Sequence, residues 1–104
     1  EVGRISDNFI LPGGKVVHGQ FFVFLLYGSR GIGSFQFHQT MSDALTIRVV
    51  PDGDATAREQ AIQAAVGRIR ELTPTPLRIE VREVPHIPPS PSGKHRYTRS
   101  DVSA

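Results

Sequence analysis

The sequence predicts an α+β domain: a short N-terminal β-hairpin, then α-β-β-α-β, with the helices packed on a three-stranded sheet. Three observations lead there. Residues 34–39, 45–49 and 77–82 alternate apolar and polar at the two-residue period of a strand. Residues 57–72 place apolar side chains at helical spacing instead. The chain has 104 residues, 38% of them hydrophobic and 21% charged, which suits one domain with one core.

The elements follow in order. Asp7-Asn8-Phe9-Ile10-Leu11 reads as a short strand. Pro12-Gly13-Gly14 is turn chemistry, a preset φ followed by two residues free to take positive φ, and Lys15-Val16-Val17 returns as the second strand. Phe21 to Tyr27 is uniformly apolar, so periodicity alone does not assign it. A strand there would leave no crossover before the next one, and a short buried helix is expected. Gly28, Gly31 and Gly33 follow as turn glycines, because their spacing is not that of a phosphate-binding G-x-G-x-x-G loop. Phe35 and Phe37 share one face of the next strand, with Gln36 and His38 on the other. After Met41-Ser42-Asp43, Leu45, Ile47 and Val49 alternate with Thr46 and Arg48. The pair reads as an antiparallel hairpin with one wet face.

Thr56-Ala57-Arg58-Glu59 has the form of a capping box opening the long helix, with Ala61, Ile62, Ala65, Val66, Ile69 and Leu72 as its apolar stripe. Pro74 and Pro76 end it. Leu77, Ile79 and Val81 form the last predicted strand, with Arg78, Glu80 and Arg82 on its outer face. Pro85 to Gly93 is rich in Pro, Ser and Gly and is expected to be extended, and Lys94 to Ala104 is a polar, basic tail.

Composition narrows the function classes. There is no cysteine, which removes disulfides and thiolate chemistry and favours a reducing compartment, so a cytoplasmic location is expected. The net charge is only +2, so no nucleic-acid partner is expected. Arg78, Arg82, Arg96 and Arg99 carry a weaker RNA-binding reading, against which stands the lack of a stacking aromatic pair beside them. No apolar run approaches the roughly 20 residues of a membrane span, so no membrane partner is expected either. The four histidines have no metal-ligand spacing, and nothing in the order of Ser, His and Asp suggests a catalytic triad. The chain opens at Glu1 with a Gly-Arg motif close behind, and the expectation is a piece of a larger polypeptide.

Two motifs stand at the two ends: Gly3-Arg4-Ile5-Ser6-Asp7, and Ile87-Pro88-Pro89-Ser90-Pro91-Ser92-Gly93-Lys94. Together they resemble the C-terminal subdomain of the adenylate-forming enzymes, the acyl-CoA synthetases and their relatives. That family opens the subdomain with a Gly-Arg-x-Asp-Asp-type hinge and closes it with Pro-x-x-x-x-Gly-Lys. Phe35-Gln36-Phe37-His38-Gln39 resembles the Phe-Gln-x-x-Gln pattern of the phenylacetate–coenzyme A ligase-like branch, which includes relatives encoded with capsular polysaccharide genes.

The resemblance implies that residues 1–104 form a single lid subdomain, with the hinge at 3–7 and a catalytic-lysine loop at 85–96. Lys94 is the catalytic residue it implies, reaching the acyl carboxylate and the α-phosphate. Arg4 would contact ATP or AMP, Gly93 would free the loop beside Lys94, and Ser6 with Asp7 would form the hinge. Ser6 departs from the Asp or Lys usual there, so this hinge position carries no charge. Val17 and His18 onward would approach the acceptor's thiol channel. ATP and Mg²⁺ would be held mainly by an N-terminal domain of the same polypeptide. The partners would be a small carboxylic acid and coenzyme A or another acceptor, and the fragment alone would be inactive.

Residue by residue, plainer readings stand beside these: Lys94 as a solvated charge, Arg4 with Asp7 as a terminal ion pair of little energy, and Pro85-His86-Ile87-Pro88 as a structural loop. A free-standing ferredoxin-like module that binds a ligand or a protein without catalysis is the alternative from another class.

Overall fold

A computed structural model describes residues 8–73, 76–93 and 95–102. The element order is β1 (Phe9–Leu11), β2 (Lys15–Val17), α1 (Gly19–Leu26), β3 (Ile32–Met41), β4 (Ala44–Pro51), α2 (Ala55–Leu72), β5 (Arg78–Glu83) and β6 (Thr98–Ser100). The α+β expectation holds, and so does a helix in the apolar run.

The main sheet has four strands rather than three, in the order β5-β4-β3-β6. β3 and β4 are an antiparallel hairpin, with Phe35 opposite Val49 and Phe37 opposite Ile47. β5 and β6 add in parallel to β4 and β3 respectively. β6 comes from the tail read as merely polar and basic. Three residues, Thr98-Arg99-Ser100, are too few to show a period, and it is the open edge of β3 that makes them a strand.

β1 and β2 pair as expected, and Gly13 and Gly14 between them take φ of 90° and 83°. A side chain of the main sheet, Gln39, ties the hairpin to it. Gln39 Nε2 donates to the Ile10 carbonyl at 2.7 Å, and the Ile10 N–H donates back to Gln39 Oε1 at 3.3 Å. The Gln39 amide thus presents a donor and an acceptor to β1 as a neighbouring strand would.

α1 begins where Asn8 Oδ1 accepts from the Gly19 N–H at 3.2 Å, and Gly28 follows its end at φ 76°. α2 is capped by Asp54, whose side chain accepts from the Ala57 N–H at 2.9 Å. This corrects the capping box expected at Thr56. The helix starts two residues earlier, and the Glu59 carboxylate accepts instead from Gln63 Nε2 at 3.0 Å. Both helices and the hairpin lie against the apolar face of the sheet. Phe22 links the layers, with ring centroids 4.6 Å from Phe9 and 5.4 Å from Phe37, while Ile62, Ala65 and Ile69 of α2 join the same core.

Candidate functional site

The expected wet face of the β3–β4 hairpin is not wet. Alternation places Gln36 and His38 opposite the core, yet both are buried, because the chain after β5 returns across this face. Gln36 Nε2 donates to the Arg96 carbonyl at 3.0 Å. The Phe37 N–H donates to the Tyr97 carbonyl at 2.8 Å, and the Asp101 N–H to the Gln39 carbonyl at 2.9 Å. The face is polar because it meets the backbone and side chains of the returning tail.

Arg48, opposite Gln36 in the β3–β4 register, is the hub of this face. Its Nη1 donates to Gln36 Oε1 at 3.1 Å and to His38 Nδ1 at 2.9 Å. A guanidinium can only donate, so His38 Nδ1 is the acceptor. His38 Nε2 then carries the hydrogen toward Asp101 Oδ2, 2.8 Å away. Asp101 also faces Arg99 Nε at 3.6 Å through its other oxygen. The hydrogen bond from His38 holds the Asp101 carboxyl below its ordinary value, with the positive charge of Arg99 adding to the effect and partial burial opposing it.

A carboxyl whose folded pKa is depressed adds stability above its unfolded pKa, and that stability is lost as pH falls through the folded value. Acidification below the ordinary carboxylate range is therefore expected to loosen the His38–Asp101 tie first. A side-chain NMR titration of Asp101 checks this: its midpoint should lie below the ordinary value and move back toward it in His38→Gln.

The structure flanks the predicted lysine with two fixed shoulders. On one side the Gly93 N–H donates to the Ser90 carbonyl at 2.8 Å, and Gly93 has φ 86°, a turn conformation that favours glycine. On the other, the His95 imidazole donates through Nε2 to the Phe35 carbonyl at 2.9 Å and stacks edge-on against Tyr97, centroids 4.4 Å apart. Lys94 itself lies outside the described residues, as do Arg4, Ser6 and Asp7. Val17 is buried in the hairpin, and His18 is the N-cap residue of α1.

The sequence marks Gln36 only as part of a family-like pattern and His38 as a polar-face strand residue, and it does not point to Arg48, His95 or Asp101 as a site. The signal was present in the alternation, which sets three hydrogen-bonding side chains (Gln36, His38 and Arg48) on one hairpin face. Among the described residues no three His, Asp or Glu side chains converge as metal ligands. No helix among them is long and apolar enough to cross a membrane.

The fold defined here, a β-hairpin and two helices on one face of a mixed four-stranded sheet, is shared with domains of CoA ligases. One similar solved structure is an open conformation of 2-hydroxyisobutyryl-CoA ligase in complex with 2-HIB-AMP and CoA. It is 24% identical with a TM-score of 0.57, and the match covers 92% of this chain and 22% of that one. Another is a domain of phenylacetate-coenzyme A ligase from Bacteroides vulgatus ATCC 8482, 15% identical with a TM-score of 0.59. That match covers 96% of this chain and 100% of that one. This chain therefore spans about a fifth of the 2-hydroxyisobutyryl-CoA ligase and the whole of the phenylacetate-coenzyme A ligase domain. No family model and no curated protein matches it. Neither solved structure speaks for the capsular polysaccharide branch.

Proposed function

We propose that the chain is the C-terminal lid subdomain of an ATP-dependent, AMP-forming carboxylic-acid ligase. It would work beside a larger N-terminal domain of the same polypeptide. The observation that carries this is the fold shared along the whole of the phenylacetate-coenzyme A ligase domain. The end motifs, Gly3-Arg4 and Gly93-Lys94, support it from the sequence.

The chemistry explains why such a lid needs these groups. Adenylation brings a carboxylate against the α-phosphate of ATP, both anionic, and negative charge builds as they react. An ammonium on a flexible stem, as in Lys94, stabilises that charge between them. Arg4 offers a planar fork for phosphate or ribose oxygens. Pyrophosphate must leave before an acceptor such as coenzyme A attacks, and a subdomain turning about Ser6 and Asp7 would withdraw the lysine and open the path. Mg²⁺ would enter with ATP and be held by the larger domain.

The test is ATP–pyrophosphate exchange by the full-length polypeptide across a panel of aryl and small aliphatic acids. Exchange stimulated by one acid class, and absent for residues 1–104 alone, is the expected result. A full-length polypeptide that exchanges with no acid, or a natural reading frame starting near Glu1, would favour the free-standing ferredoxin-like binding module.

A further inference from the structure

Between the polar face of the β3–β4 hairpin and the Pro-rich segment that crosses it lies a pocket of about 400 Å³. Gln36 and Arg48 of the hairpin, Pro88, Pro89 and Ser90 of the Pro-rich segment, and Arg96 and Arg99 line it. Three guanidinium groups therefore border one cavity, and no carboxylate is among its described lining residues.

The donor inventory of Arg48 shows what the cavity lacks. Its Nη1 carries two hydrogens, and both are committed, to Gln36 Oε1 and to His38 Nδ1. Both acceptors are uncharged in this arrangement. The Nε and Nη2 edge keeps three N–H groups with no acceptor among the described residues, on a side chain that is half-buried. That edge is the one with which arginine grips two oxygens of an oxyanion at once. The Asp101–His38–Arg48 chain fixes the guanidinium from behind, so the fork is held before any ligand arrives.

We propose that this pocket binds the phosphate group of a small phosphorylated molecule, gripped by Arg48 through Nε and Nη2, with Arg99 at the rim. A carboxylate has two oxygens in one plane, which Arg48 alone would satisfy. A phosphate has further oxygens pointing elsewhere and carries more charge, and here Arg96 and the half-exposed Arg99, which also faces Asp101, line the same pocket. The volume exceeds a bare phosphate and falls at the small end of ligand pockets, leaving room for the rest of an ester. Among the described lining residues there is no aromatic ring on which the bases of a single-stranded nucleic acid would stack. The inference does not depend on the ligase reading: phosphate binding is read at Arg48, whereas exchange is read at Lys94, and either can fail alone.

The experiment titrates inorganic phosphate, AMP and acetate at matched ionic strength into the ¹⁵N-labelled chain and follows backbone amide shifts. Phosphate and AMP are expected to saturate shifts at Gln36, Arg48, Ser90 and Arg99. AMP binding more tightly than inorganic phosphate assigns the site to esters, and the reverse order to the free ion. Acetate should bind at least about tenfold more weakly than either. Arg48→Gln should weaken phosphate about 10- to 100-fold, as loss of charge-assisted hydrogen bonds does. Arg99→Gln should weaken it less, because that side chain is more exposed. Should Arg48→Gln fail to fold, Arg48→Lys decides: it keeps the charge, loses the fork, and should still lose most of the affinity. Acetate binding as tightly as phosphate, unchanged phosphate affinity in the Arg48 variants, or no saturation would each overturn the proposal.

Discussion

Replacing Lys94 by alanine in the full-length polypeptide is expected to lower ATP–pyrophosphate exchange about 100- to 1000-fold, the usual effect of removing one preorganised donor from a developing oxyanion. Conversion of a supplied acyl-adenylate to the thioester should be nearly unchanged, because the α-phosphate has by then taken the acyl group and the lysine has no further role. The split between the two half-reactions separates catalysis from folding, since a misfolded lid would lose both. The two shoulders add a graded version. His95 Nε2 on the Phe35 carbonyl and Gln36 Nε2 on the Arg96 carbonyl fix the chain just after position 94. His95→Ala should therefore lower exchange less than Lys94→Ala, with the thioester half-reaction again spared. Unchanged exchange in Lys94→Ala would end the assignment of the lysine.

Most elements were legible because each has its own pattern. β3, β4 and α2 carry clear periods, and the β1–β2 turn carries its Pro12-Gly13-Gly14 signature. What escaped the sequence are features made by distant segments. β6 is a strand only because β3 offers an open edge. Gln36 and His38 are buried only because a tail some 60 positions later covers them, and periodicity reports which side chains share a face but not what lies over it. The α2 cap was misplaced by two residues for a local reason: Asp54 and Thr56 are both good N-caps, and the tight turn at Asp52-Gly53, with Gly53 at φ 85°, brings the first into place. As for the candidate site, the Phe35–Gln39 stretch drew attention through a family likeness. The structure supplies a physical reason for both its glutamines. Gln36 holds the segment after the predicted lysine, and Gln39 holds the hairpin that follows the predicted hinge. One strand thus anchors the neighbours of both end motifs.

Gln39→Met tests the second of these anchors and should cost about 2–4 kcal/mol of folding stability, the penalty for leaving two part-buried backbone groups without partners. Gln39 is fully buried on the core face of β3, and its amide meets both the N–H and the carbonyl of Ile10. Methionine is close to it in length and volume, so packing is largely kept and no large cavity opens. The loss then comes from the stranded Ile10 groups, because the Ser100 hydroxyl, which donates to Gln39 Oε1 at 3.2 Å, also has the Val102 carbonyl within reach at 3.3 Å. Against a total stability of about 5–15 kcal/mol for a domain, that is a large fraction. Urea denaturation measures it, and amide exchange locates it. The Ile10 N–H should exchange faster in the variant by more than global destabilisation explains, while the amides of β3 and β4 follow the global change. A loss below about 0.5 kcal/mol, the level of an ordinary surface substitution, would mean that the hairpin is held by Phe9 and Leu11 packing alone. The Gln39 amide would then fill space rather than join two sheets.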